Sequence, residues 1–112
     1  MAFDALEVAL LLVKALRRVL EKIRRHDKDL ADQMSRATTS VALCTGEGRR
    51  RAGRDREHPF RIAAGSAAEV ATGLRIAIAW GHVAEDDQDV VEVQALLARE
   101  EAMLWRLTHR RS

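Results

Sequence analysis

Five arginines, Arg49, Arg50, Arg51, Arg54 and Arg56, fall within eight residues of the stretch "TGEGRRRAGRDREHPF", between glycines and the single proline. A guanidinium presents a flat fork of N–H donors that fits phosphate oxygens two at a time, and glycine-flanked backbone lets such forks adapt. The chemistry on offer is therefore phosphate recognition. No aromatic residue is interleaved with these arginines, so contacts would go to the nucleic-acid backbone, with little base stacking and weak sequence preference. The competing expectation is a solvated loop that keeps the chain soluble or pairs with acids of a neighbouring copy.

Other reactive residue types are sparse. Cys44 is the only cysteine, lies on an apolar stripe without a nearby histidine, and reads as a small hydrophobe. It cannot form an internal disulfide, which points to a reducing cytoplasm. His26, His58, His82 and His109 lack the i, i+4 spacing of a helical metal site. The acids Glu85, Asp86, Asp87, Asp89 and Glu92 read as capping and helix-dipole partners. No metal, cofactor or catalytic constellation is expected, and the chain reads as a non-enzyme.

These residues must be positioned by helices. The 112 residues allow one domain, residues 1–112. Apolar residues make up 47% and aromatics 4%, so small aliphatics fill the interior, as in packed helices. Apolar spacing of three and four residues predicts helices over about 4–25, 29–46, 56–80 and 86–108. Asp4, Asp29, Asp55 and Asp86 are the expected caps, and Gly46 with Gly48 the expected end of the second helix. Leu10, Leu11, Leu12 and Val13 point around most of the first helix, more apolar surface than one stripe needs. Short connectors favour antiparallel neighbours, giving an all-α, up-down-up-down four-helix bundle. The apolar breadth of the first and fourth helices makes it a homo-oligomer.

Charge is uneven along the chain. Residues 1–56 carry 13 Lys/Arg against 8 Asp/Glu, and residues 57–112 carry 6 against 9. The N-terminal stretch does not read as a secretory signal. Its longest apolar run, Val8 to Val13, is far below the ~20 residues that cross a bilayer, so no membrane partner is expected.

Two blocks resemble a known family. "LADQMSRATTSVALCTGEGRR" is similar to the signature L-x-x-Q-x-x-R-A-x-x-S-I-x-x-N-I-A-E-G of the four-helix-bundle family that includes proteins encoded in 23S rRNA intervening sequences. Leu30, Gln33, Arg36, Ala37, Ser40, Glu47 and Gly48 match it. Cys44, Thr45 and Gly46 stand where the family has Asn-Ile-Ala. The second block resembles I-A-x-G-S-x-x-E through Ile62, Ala63, Gly65, Ser66 and Glu69. The resemblance implies a bacterial homopentamer. Through relatives that accompany diversity-generating retroelements, it implies RNA or DNA and a reverse transcriptase as partners. Gln33, Arg36, Ser40, Glu47, Ser66 and Glu69 form an expected structural polar network, with Arg36 pairing to Glu69 or Glu47 within the bundle or between copies. A protein-interaction scaffold with no nucleic-acid role is the alternative function.

Overall fold

In the computed structural model, which describes residues 4–51 and 53–109, four helices follow one another: α1 (Ala5–Arg24), α2 (Lys28–Arg50), α3 (Glu57–Trp80) and α4 (Gln88–Thr108). A short 3-10 turn, Gly53–Arg56, leads into α3. Each helix packs on its neighbours in order, and α4 closes back on α1. No strand occurs among the described residues.

The helices start where a short acidic side chain takes up orphan backbone N–H groups. At α1 the Glu7 N–H donates to Asp4 Oδ1 at 2.9 Å, and the Asp4 N–H donates back to Glu7 Oε1 at 3.4 Å, a reciprocal cap. Asp27, not Asp29, caps α2, accepting from the Leu30 N–H at 3.0 Å. Asp87, not Asp86, caps α4, accepting from the Asp89 N–H at 2.8 Å. Adjacent aspartates are equivalent by composition, and only the helix register selects between them. Arg56 occupies the cap position of α3 and offers no side-chain hydrogen bond, because Asp55 lies inside the preceding 3-10 turn. Gly81 ends α3 at φ 79°, a conformation glycine reaches without steric cost.

α2 runs past Gly46 and Gly48 to Arg50, which corrects the expected end of that helix. Neither glycine has positive φ. Gly48 is instead required for packing, since the ring of Phe60 lies where a Cβ would be.

The core is aliphatic: Leu12, Leu16, Val19 and Ile23 from α1, Met34 and Val41 from α2, Val70 and Leu74 from α3, Val90, Val93, Leu97 and Leu104 from α4. Of the four consecutive apolar residues on α1, Leu12 is buried and Leu10 is 49% exposed. α3 has the length and hydropathy of a membrane span by composition, and in this fold its buried residues join the same core.

Candidate functional site

The antiparallel order brings the start of α1, the end of α2, the 3-10 turn, the start of α3 and the end of α4 to one end of the bundle. The arginine-rich connector is part of that end. Arg49 is ion-paired with Asp4 at 3.1 Å. Arg51 is paired with Glu47 one turn earlier on α2. The Arg56 guanidinium lies 5.7 Å from the Phe60 ring centroid, a cation–π contact. Arg50 is exposed and carries no ion pair among the described residues. For Arg54 only the backbone lies within the described structure. The cluster is thus assembled by helix register but partly neutralised by it.

Between these side chains is a cavity of about 220 Å³, lined by Asp4, Ala5, Leu6, Thr45, Arg49, Arg56, Phe60 and Leu107. Two guanidiniums and one carboxylate face it, over an apolar floor. Beside it, Leu6, Ala42, Leu43 and Gly46 form an open apolar groove with Arg49 and Arg50 on its rim. Leu43 is 69% exposed.

The expected polar network is only partly assembled within one protomer. Ser66 Oγ and Ser40 Oγ are hydrogen-bonded at 2.9 Å, and Ser40 Oγ is 3.8 Å from Cys44 Sγ. Gln33 and Glu69 border a small cavity with Leu30, Met34, Thr72, Gly73 and Ile76. Arg36 is exposed and pairs with neither Glu69 nor Glu47 in the protomer; Glu47, eleven residues further along the same helix, is out of its reach and is paired with Arg51. Among the described residues no group of three His, Cys, Asp or Glu side chains is placed to hold a metal.

At the opposite end the charges pair closely. Lys22 Nζ reaches Asp87 at 2.7 Å and Asp89 at 3.1 Å, linking α1 to the start of α4. The hydrogen bond to Asp87 leads in raising the Lys22 pKa, and the same bond leads in lowering that of Asp87. Asp32 accepts from Arg24 at 2.6 Å and from Lys28 at 2.9 Å. These two donors hold its carboxyl at about 2, Arg24 contributing most. The cations at the end of α1 are therefore mostly committed to neighbouring acids.

One residue with a strongly altered environment escaped the motif reading. Glu100 on α4 is fully buried, and neither carboxyl oxygen has a hydrogen-bond partner among the described residues. Burial, with a smaller contribution from the Asp4 charge, pushes its pKa up to about 8. The Thr45 hydroxyl is also buried and has no hydrogen-bond partner among the described residues. The sequence held a signal for Glu100: it lies three residues after Leu97 and four before Leu104, inside the apolar stripe of α4.

With this geometry in view, comparison with known proteins is informative about fold and family. The family model described as 23S rRNA-intervening sequence protein matches residues 2–105. A crystal structure of a protein of unknown function from the S23 ribosomal protein family of Bacteroides thetaiotaomicron superposes with a TM-score of 0.81. It is 14% identical, over 95% of this chain and 99% of that one. No curated protein matches the chain.

Proposed function

Because the chain belongs to the 23S rRNA-intervening sequence protein family, we propose that it acts as a non-enzymatic, self-assembling accessory protein whose arginine-bearing end binds nucleic-acid phosphates. The observation that carries this reading is the gathering of Arg49, Arg50, Arg51 and Arg56 at one end, with Arg50 exposed and unpaired. Arg54 would join them. The ion pairs of Arg49 and Arg51 do not oppose phosphate binding strongly. Exposed pairs of this kind are worth ~0–1 kcal/mol, less than a phosphate offers to several forks at once.

What supports self-assembly is a set of large apolar side chains left open to solvent. Leu10 and Leu43 lie on α1 and α2, and Val91 and Trp105 on α4. Copies joined through such patches would array their arginine ends and sum their fields. The resemblance to homopentamers supplies the number five. A reverse transcriptase with its RNA is the partner pair that the same resemblance supplies.

The test is binding of labelled RNA and duplex DNA across a salt series. Four phosphate contacts to duplex predict a slope of log K against log salt near ~−3.6. Arg49/Arg50/Arg51→Ala should weaken binding at least tenfold and flatten that slope while the assembly stays intact. No binding at low salt would remove this reading. It would favour a protein-interaction scaffold, which the existing partners of Arg49, Arg51 and Arg56 support.

A further inference from the structure

The end away from the arginines carries a different surface. Two connectors meet there, residues 25–27 between α1 and α2 and residues 81–87 between α3 and α4. Three rings stack across them. His26 and His82 lie parallel, centroids 5.1 Å apart with an interplanar angle of 1°. Trp80 stacks on His82 at 6.3 Å and 12°. Trp80 is 72% exposed, the most open large apolar side chain among the described residues.

The charge beside this stack is negative. Lys22 is occupied by Asp87 and Asp89, and Arg24 with Lys28 by Asp32. Asp29, Glu85 and Asp86 are exposed and have no ion pair among the described residues. Arg25, next to His26, is exposed as the local counter-charge and is outnumbered. A phosphate backbone would be repelled here. A flat cation would gain twice, from the face of the indole and from the unpaired acids that the adjoining connector carries.

We propose that this end is a docking surface for an arginine-bearing segment of a partner polypeptide, with a guanidinium stacked on Trp80 and its charge met by Glu85 and Asp86. Ring, rim and exposure all select the same occupant: a cation–π contact needs an open aromatic face, and charge complementarity excludes an acidic partner. The inference is independent of nucleic-acid binding, because it uses none of Arg49, Arg50, Arg51, Arg54 or Arg56.

The experiment uses the full chain without nucleic acid. The probe is a fluorescein-labelled peptide with four arginines, with an all-glutamine version as control. The arginine peptide should bind and the glutamine peptide should not. Trp80→Ala should weaken binding by ~2- to 30-fold, the range a cation–π contact of ~0.5–2 kcal/mol spans. Glu85→Gln/Asp86→Asn should weaken it several-fold and reduce its salt dependence. Tryptophan fluorescence should change on saturation in the parent chain and stay unchanged in Trp80→Phe. Binding undiminished in Trp80→Ala, or a single-stranded oligonucleotide that displaces the peptide, would overturn the proposal. So would a smaller sedimenting particle for Trp80→Ala, because another copy of this chain would then be the occupant.

Discussion

Replacing Glu100 by leucine should make the folded state more stable at pH 8 and remove most of the pH dependence expected of the parent chain. The folded-state pKa of about 8 lies above the ordinary value of 4.5. Below about 4.5 both folded and unfolded chains hold this proton, and the contribution of this one group is fully present. As pH rises, the unfolded chain releases the proton first, so the folded state loses ground until its own group ionises near pH 8. The total loss is on the order of a few kcal/mol, at ~1.4 kcal/mol for each pH unit between the two values. Glu100→Leu removes the ionisable group and two unpartnered oxygens together, and replacement of unpaired buried polarity by apolar volume stabilises. Urea unfolding at pH 5, 6.5 and 8, at one fixed protomer concentration, measures this. Parallel pH profiles for the parent and Glu100→Leu would contradict it.

Gly48→Ala should destabilise the chain while Gly65→Ala should not, although both glycines lie inside helices. A Cβ on residue 48 would sit 2.6 Å from Phe60 Cε1 and 2.8 Å from Cδ1. Phe60 is buried, and its ring is a rigid plate with no soft tail to fold away. Overpacking of this kind costs ~1–3 kcal/mol, against a gain of up to ~1 kcal/mol from the better helix former. The net expectation is a loss of ~1–2 kcal/mol, seen as a lower urea midpoint. At residue 65 a Cβ meets nothing within 4 Å in the protomer, so the helix gain of up to ~1 kcal/mol stands alone. Gly73→Ala lies between, because the atom it approaches at 2.7 Å is Met34 Cγ, part of a flexible chain. A Gly48→Ala variant as stable as Gly65→Ala would refute the packing account. Dissociation of the assembly by Gly65→Ala would place that glycine at a contact between copies.

These two positions show what a sequence can and cannot reveal. The helices were legible because apolar residues recur every three or four positions and aspartates precede each start except that of α3, features fixed by local chemistry. Glu100 went unread, although it stands as an acid within the apolar stripe of α4. The end of α2 was not legible either. Glycine reads as a helix stop, and only the tertiary contact with Phe60 explains glycine within a continuing helix. The arginine cluster was visible as composition, whereas its partners were not. Asp4 pairs with Arg49 because the start of α1 meets the end of α2, which depends on connector length and register. The His26–His82–Trp80 stack joins two connectors far apart in the chain, and no spacing rule relates them.

The central claim is that one copy leaves too much apolar surface open at Leu10, Leu43, Val91 and Trp105, so that copies associate and array their arginine ends. Sedimentation equilibrium at micromolar concentration tests it most directly. The account predicts a particle whose mass is a multiple of the 12.5 kDa chain, five chains if the resemblance to homopentamers extends to assembly. A folded species of 12.5 kDa as the only particle across that range would contradict it.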